Sequence, residues 1–184
     1  LDEGTTKLNA LDISDTLANL GATIAASAGI DNSNVSLSAM RENLDDSLKL
    51  FADIILNPSF PLNELNRLKN QRLAQIQQEK NQPFGIALRI LPKLLYGENH
   101  AYSLPLTGSG TEISVNKITQ ASLINFHKEW FKPNNASMIV VGDITMDEIK
   151  PKLEKYFKAW TPSNLPQKTI IPVAQKKKES LYII

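Results

Sequence analysis

The side chains best suited to metal binding or acid–base chemistry in this sequence are two histidines, His100 and His127, and the sequence contains no cysteine. Two histidines on one helix can hold a single ion when they lie four residues apart, because both imidazoles then point to the same side. His100 and His127 are too far apart to form such a pair. His127 lies close to Phe126 and Trp130, which is typical of a packed histidine, and His100 follows Glu98 in a loop. We therefore predict no catalytic residue and no metal ligand in this chain.

Other catalytic signatures are also missing from the sequence. No G-x-S-x-G elbow accompanies the many serines, and neither histidine is a convincing partner for a nucleophilic serine. Residues 107–111 (TGSGT) resemble a phosphate-binding loop only superficially, because no lysine follows the second glycine and no strand precedes it. We predict a turn at this position.

The composition narrows the functional classes further. Apolar residues make up 42% of the chain and the formal net charge is +1, which lacks the basic excess typical of nucleic-acid binding. The short basic run at residues 176–178 favours a solvated linker over a phosphate or membrane patch. No apolar stretch approaches the ~18 residues of a membrane span. The absence of cysteine is compatible with either the cytoplasm or the periplasm.

Helical periodicity and turn residues predict the elements that would carry such side chains. Ala10, Ile13, Leu17 and Leu20 share one helix face, with Thr5 or Thr6 as the cap and Gly21 at the end. The same reasoning predicts helices at 6–20, 42–56, 61–80, 86–96, 119–130 and 146–160, strands at 22–28 and 35–40, and a loop at 97–117. The apolar run 136–141 is typical of a strand buried on both faces.

Caps and apolar spacing predict further details of three helices. Thr119 caps the helix at 119–130, and residues 145–148 (TMDE) match the T-x-x-E capping box. We expect three side chains of the helix at 119–130 to face the core: Leu123, Phe126 and Trp130. The helix at 61–80 has one apolar stripe, formed by Leu62, Leu65, Leu68, Leu73 and Ile76.

The order of these elements predicts an α+β fold, with helices packed on one face of a mixed or antiparallel sheet. We assign residues 1–160 to this domain, incomplete at its N-terminal end. Residues 161–184 are predicted to be a linker and the first strand of a following domain, with that strand at 181–184. Because the chain opens at Leu1 rather than methionine, we expect it to have been excised from a longer precursor.

Six segments in this order resemble the pitrilysin/insulinase family of zinc peptidases, also called inverzincins. None is diagnostic alone, but together they run over nearly the whole chain. They are residues 1–5 (LDEGT), 17–22 (LANLGA), 51–60 (FADIILNPSF), 95–102 (LYGENHAY), 131–136 (FKPNNA) and 139–145 (IVVGDIT). The resemblance implies the metallohydrolase-like domain of that family.

The resemblance also implies where a zinc site would lie. Active members carry H-x-x-E-H on a helix followed by a segment like residues 1–5, with a distal glutamate as the third ligand. The H-x-x-E-H motif would fall just before Leu1. The distal glutamate should lie about eight residues before Pro83, where this sequence has Gln75, a poor zinc ligand beside a carboxylate. Glu79 is a substitute only if the alignment slips.

The resemblance therefore implies the non-catalytic, C-terminal-type half of a zinc metalloendopeptidase. Such a half lines a peptide-binding chamber beside a catalytic half or subunit, which holds the zinc, and this chain would hold no cofactor. Active halves bind peptide along a sheet edge, and residues 23–27 would be the equivalent strand here, although an ordinary hairpin strand explains them equally well.

Two alternatives remain open: a purely structural core-type subunit, and an active half whose zinc motif lies upstream of Leu1. The partners implied are the catalytic half and a peptide substrate, with no nucleic acid and no membrane span. The family's two-part bacterial members favour a periplasmic or cell-envelope location.

Overall fold

The computed structural model describes residues 1–173 and 179–183. Over these residues the chain folds into α-helices and one two-stranded antiparallel hairpin sheet, which confirms the α+β class. The elements are α1 (Ala10–Leu20), β1 (Thr23–Ala28), β2 (Ser33–Ser38), α2 (Leu44–Leu56), α3 (Leu62–Lys80), α4 (Pro83–Tyr96), α5 (Glu112–Lys117), α6 (Gln120–Trp130) and α7 (Met146–Phe157), with short 3-10 turns at Arg41–Asn43 and Pro133–Asn135.

The chain divides into two compact units, and each is described by itself. The first comprises Leu1–Ser27, Ser33–Glu64 and Thr119–Pro166, and the second comprises Ala28–Asn32, Leu65–Ile118 and the described part of Gln167–Ile184. The predicted boundary near residue 160 stays a prediction. Among the described residues, no helix is both long enough and apolar enough to cross a bilayer.

The core of the first unit is formed where α1 and α2 pack together. Ile13, Leu50 and Ile54 are buried there, and Ile24 of β1 packs against them together with apolar side chains from α1 and the residues before it. Phe51 of α2 meets Phe157 of α7 edge to face, with ring centroids 6.3 Å apart. Helices and hairpin therefore share one apolar interior, as the alternating and helical patterns predicted.

Helix α1 begins later than predicted. Its cap is Asn9, whose side chain accepts the Asp12 N–H while the Asp12 carboxylate accepts the Asn9 N–H. The predicted cap Thr5 instead accepts two N–H groups of a preceding turn, from Lys7 and Leu8. The prediction was wrong here because a threonine oxygen closes a turn as readily as it starts a helix. Gly21 ends the helix in the left-handed conformation, as predicted.

The helices α6 and α7 confirm the cap signals in the sequence. Thr119 and Thr145 each form the predicted helix start through a capping box. One side chain differs from its prediction: Phe126 was placed in the core but is 51% exposed, and it contacts Trp130 and Phe131 at the surface. Spacing alone could not separate the rim of the apolar face from its centre.

The second unit contains the bulk of α3 and all of α4 and α5. Ile76 is fully buried, but Leu62 and Leu68 of the predicted apolar stripe are 58% and 40% exposed. The helix α5 lies inside the region predicted to be a loop. It was missed because it has only six residues, too few for a periodic pattern.

The apolar run 136–141 contradicts its prediction as a doubly buried strand. Ile139 and Val141 are 86% and 92% exposed, and the run joins no strand among the described residues. A strand requires a neighbouring strand for its backbone hydrogen bonds, and the described residues provide none beside it. Likewise, residues 181–183 form no strand. The basic run 176–178 and Ile184 lie outside the described residues.

Candidate functional site

The position where the resemblance places a zinc-binding glutamate lies on the exposed side of α3. Gln75 occupies this position, and both the oxygen and the nitrogen of its amide form hydrogen bonds to side chains of the same helix. Its Oε1 accepts a hydrogen bond from Arg72 Nη1 (3.0 Å), and its Nε2 donates to Glu79 Oε1 (3.0 Å). Gln75 thus belongs to a chain of polar contacts along the helix.

Glu79, one helical turn further on, has a carboxylate that accepts hydrogen bonds from several side chains of the second unit. Its side chain is only 12% exposed and pairs with Arg89 of α4, Nη1 to Oε2 at 2.8 Å. The same Oε2 accepts hydrogen bonds from the hydroxyls of Ser109 (2.7 Å) and Thr107 (3.1 Å). Arg89 also donates to Ser109 Oγ and to the Gly110 carbonyl. We call these residues (Glu79, Arg89, Thr107, Ser109 and Gly110) the Glu79 cluster.

The electrostatics of the Glu79 cluster favour the ionised carboxylate. Burial by itself raises the pKa of Glu79, but the hydrogen bonds from Ser109, Arg89 and Thr107 outweigh burial and hold the pKa below its usual value. The carboxylate is therefore an anchor that ties the loop at 107–110 to two helices. To bind a metal, Glu79 would have to release these donors, which disfavours the alternative of Glu79 as a substitute zinc ligand.

His100 is buried in the second unit. Its Nε2 donates to the carbonyl of Ile171 (2.8 Å), and its Nδ1 accepts the backbone N–H of Tyr102 (3.1 Å). Its ring stacks on Tyr96, with centroids 5.1 Å apart. Both ring nitrogens are occupied by backbone groups, so the histidine acts as a tether for residues near Ile171.

His127 belongs to the first unit and has a similar structural role. Its Nε2 donates to the Ile55 carbonyl at the end of α2 (2.7 Å), and its ring stacks on Phe131. Burial lowers the pKa of His127, and the backbone hydrogen bond only partly opposes that shift. The neutral imidazole is therefore favoured, as expected for the packed histidine that its neighbours predicted.

Over the part of the chain that the structure describes, no three histidine, aspartate or glutamate side chains converge as a metal site would require. The assignment of no catalytic and no metal-binding residue nevertheless stays a prediction. What sequence reasoning missed is the Glu79 cluster, because residues 10 to 30 positions apart carry it and no local pattern links them.

The strand that the resemblance relates to peptide binding is β1. It pairs with β2 in a two-stranded sheet, so one of its edges is free of a strand among the described residues. Its side chains are small beyond Ile24 (Ala25, Ala26, Ser27 and Ala28) and largely accessible. A strand edge without a neighbouring strand presents backbone N–H and carbonyl groups, to which another strand could be added.

Comparison with known proteins gives two family matches. The model described as "Insulinase (Peptidase family M16)" matches residues 2–108, and the one described as "Peptidase M16 inactive domain" matches residues 117–184. The first match covers more than half of the chain, and it confirms the resemblance drawn from the six segments.

Individual relatives agree with this assignment. The chain is 21% identical over 181 residues to the "Non-peptidase homolog YmxG" of Helicobacter pylori, covering 98% of this chain and 41% of that protein. A solved "peptidase M16 inactive domain" from Pseudomonas fluorescens is 29% identical, with a TM-score of 0.84, over 94% of this chain and 42% of that one.

The periplasmic protease PqqL from Escherichia coli shares the fold, at 18% identity and a TM-score of 0.74, over 94% of this chain and 19% of its own. This chain thus spans well under half the length of the relatives that it matches. By its matched segments and its fold, the chain is a member of the M16 (insulinase) peptidase family.

Proposed function

We propose that this chain is the non-catalytic half, or part of it, of a zinc-dependent metalloendopeptidase. In this role it lines the peptide-binding chamber beside a half that carries H-x-x-E-H. A zinc peptidase polarises water with a metal held by two imidazoles and a carboxylate. The zinc and its ligands are accordingly assigned to the catalytic half.

The observation that carries the proposal is the identity and the bonding of two side chains on α3. The residue at the distal-ligand position is Gln75, and the nearby Glu79 is committed to Arg89 and two hydroxyls. Relatives whose own names describe an inactive domain and a non-peptidase homolog support the same role. The accessible edge of β1 supports a contribution to peptide binding.

The proposed cellular location rests on another protein that has the same fold. A periplasmic protease has this fold, and we propose a periplasmic or cell-envelope setting for this chain. Fractionation of the source cells, followed by immunodetection of the chain beside markers for each compartment, tests it. Recovery with the cytoplasmic marker alone would contradict the proposal.

The function is tested by reconstitution with its partner. The chain is used to capture an H-x-x-E-H-bearing protein from source cells, and cleavage of an unstructured peptide library is measured with and without the chain. We expect cleavage by the pair, loss of cleavage when the motif glutamate of the partner is changed to glutamine, and no cleavage by the chain alone. Equal cleavage without the chain would favour a purely structural role, and chelator-sensitive cleavage by the chain alone would favour an active half.

Two neighbouring variants test the β1 edge. Successive N–H groups of a strand point to opposite edges, so Ala25→Pro and Ala26→Pro remove one N–H facing β2 and one facing outward. We expect the variant that loses the outward-facing N–H to keep its melting temperature but to slow peptide cleavage by the chain and its partner. The variant that loses the N–H facing β2 should have a lower melting temperature. Unchanged cleavage by a folded outward variant would show that β1 does not bind peptide.

A further inference from the structure

A loop of the second unit, at residues 97–103, holds two distant parts of the chain. On one side, His100 Nε2 donates a hydrogen bond to the carbonyl of Ile171 (2.8 Å). On the other, the Tyr102 hydroxyl donates one to Asp31 Oδ1 (2.8 Å). The pKa of Tyr102 is raised, mainly because its hydroxyl donates to Asp31 and also because that carboxylate is negatively charged. The phenol therefore keeps its proton in this contact.

The two parts of the chain that the loop holds belong to different elements. Ile171 lies in the segment 167–173, which leads toward the predicted first strand of a following domain. Asp31 lies in the hairpin turn at 29–32, which joins β1 to β2. Segment and turn are both parts of the second unit. The contacts that hold them are therefore internal to one compact unit.

One hydrogen bond and several ring contacts join the two sides of the loop. His100 Nδ1 accepts the backbone N–H of Tyr102 (3.1 Å). The rings of Tyr96, His100 and Tyr102 contact one another, with centroids 5.1 Å apart for Tyr96 and His100, and 5.6 Å apart for His100 and Tyr102. Packed side chains and hydrogen bonds of this kind transmit a displacement from one residue to the next.

The loop has little freedom to absorb such a displacement. Ser103 closes it, since its N–H donates to the His100 carbonyl (3.0 Å) and its hydroxyl to the Glu98 carbonyl (3.0 Å). Both His100 and Ser103 are buried. The imidazole uses one nitrogen as donor and the other as acceptor, so a rotation of the ring breaks both of its hydrogen bonds at once.

We propose that His100 and Tyr102 are positioning residues that couple segment 167–173 to the hairpin turn, so that the path of this segment sets the position of β1. The turn continues directly into β1, and the Asp31 contact holds it in place. A displacement of the segment turns the His100 ring, which releases the Tyr102 N–H and loosens the hydroxyl that binds the turn. The coupling stands on these contacts, and only its meaning for peptide binding rests on the proposed function.

Backbone order parameters from NMR relaxation test the coupling, because each contact can be broken at one end and read at the other. Tyr102→Phe removes only the hydroxyl that binds Asp31. We expect order parameters to fall by about 0.1–0.2 in the turn, and by a similar amount at 169–171, from the ~0.85 of rigid backbone. The second change is the informative one, since a purely local tether would not produce it.

The variant His100→Asn applies the same test in the opposite direction. The asparagine oxygen can replace Nδ1 as the acceptor for Tyr102, but its shorter side chain does not reach the Ile171 carbonyl. We expect segment 167–173 to loosen and the turn to loosen with it, because the coupling between two sites is reciprocal. The control is Tyr96→Phe, which removes a hydroxyl without a hydrogen bond to the described residues from the same group of rings, and it should change neither part.

Independent tethers would give a different result from coupled ones. If each variant loosened only the end at which its contact was removed, the proposal would be overturned. Tyr102→Phe keeps its ring, so this variant decides the question even if His100→Asn does not fold.

Peptide cleavage by the reconstituted pair tests what the coupling means for function. A residue that positions a binding edge touches no reacting atom, so we expect Tyr102→Phe to raise KM about threefold and to leave kcat unchanged. Tyr96→Phe should change neither constant. An unchanged KM despite a loosened turn would show that β1 is not positioned in this way. If the wild-type pair cleaves no peptide, the proposed function fails, and the order parameters still decide the coupling.

Discussion

At the scale of single residues, the polar side chains that might have suggested chemistry hold the fold together. Glu79 and Arg89 are 12% and 10% exposed and share the Ser109 hydroxyl as a partner, and Glu79 also accepts a hydrogen bond from Thr107. His127 donates a hydrogen bond from its Nε2 to the Ile55 carbonyl at the end of α2. The pKa values of Glu79 and His127 are shifted for structural reasons, so a shifted pKa in this chain does not by itself mark a catalytic residue.

Removing the charge of Glu79 should reveal how much the cluster stabilises the fold. In Glu79→Gln, Arg89 keeps its charge in a buried position without a counter-ion, so we expect the free energy of unfolding to fall by about 3 kcal/mol. The matched control is Glu154→Gln, whose ion pair with Lys150 is exposed and is worth less than about 0.5 kcal/mol. Urea unfolding of both variants measures the difference, and equal midpoints would contradict the structural role of Glu79.

Titration of His127 should make stability depend on pH. Burial lowers its pKa below the ordinary value of 6.5, so the unfolded chain binds its proton more readily than the folded chain does. Stability is therefore fully present above about pH 6.5 and is lost as the pH falls through that value toward the lower folded-state pKa.

The variant His127→Gln isolates this effect. The glutamine amide can still donate to the Ile55 carbonyl but does not titrate, and the carboxylates and His100 remain the same in both proteins. We expect the wild type to lose stability relative to the variant between about pH 7.5 and 5.5, measured by urea unfolding at each pH. Parallel curves across that range would show that the His127 pKa is not depressed.

At the scale of elements, the sequence correctly predicted the helices and strands that apolar periodicity and helix caps determine. The hairpin, α2, α6 and α7 formed within a few residues of their predicted bounds, with β2 two residues earlier and the end of α7 three residues earlier than predicted, because apolar spacing and threonine caps act over a few residues. The start of α1 was wrong because two polar groups, Thr5 and Asn9, competed for the role.

Predictions were least successful where distant residues decide the outcome. The Glu79 cluster joins α3 to a loop about thirty positions away, and no local pattern could reveal it. The run 136–141 has the composition of a buried strand, but burial depends on neighbours that composition does not identify.

The junction between α3 and α4 provides a test at this scale. Helix propensity alone predicts that Gly85→Ala would stabilise α4 by up to about 1 kcal/mol. However, a Cβ at Gly85 would lie 2.3 Å from the Glu79 carbonyl oxygen, so the two helices would have to separate. We expect a net destabilisation of about 1–3 kcal/mol, whereas Lys93→Ala, at an exposed site on the same helix, should be nearly neutral. A more stable Gly85→Ala would contradict the close contact.

At the scale of the whole molecule, the features of the chain are those expected under the proposed role as one half of a two-part peptidase. Its charge is close to neutral, its histidines are tethers, and it corresponds to 42% of a solved inactive-domain relative. Its β1 edge, which has no neighbouring strand among the described residues, is suited to pairing with other polypeptide. Its contribution to catalysis would accordingly be geometric, through the walls of a chamber.

Zinc content tests this view of the molecule most directly. Zinc sites in enzymes use three protein ligands around the ion, and in the described part of the chain His100 and His127 each serve separate backbone groups. We expect the isolated chain to hold only substoichiometric zinc after dialysis, measured by mass spectrometry of the metal. Gln75→Glu restores a carboxylate at the distal-ligand position, but without two converging imidazoles it should bind no more zinc than the control Gln71→Glu on the same helix. Stoichiometric zinc in the wild type, or in Gln75→Glu alone, would mean that this chain builds a metal site of its own, and the assignment to a non-catalytic half would have to be abandoned.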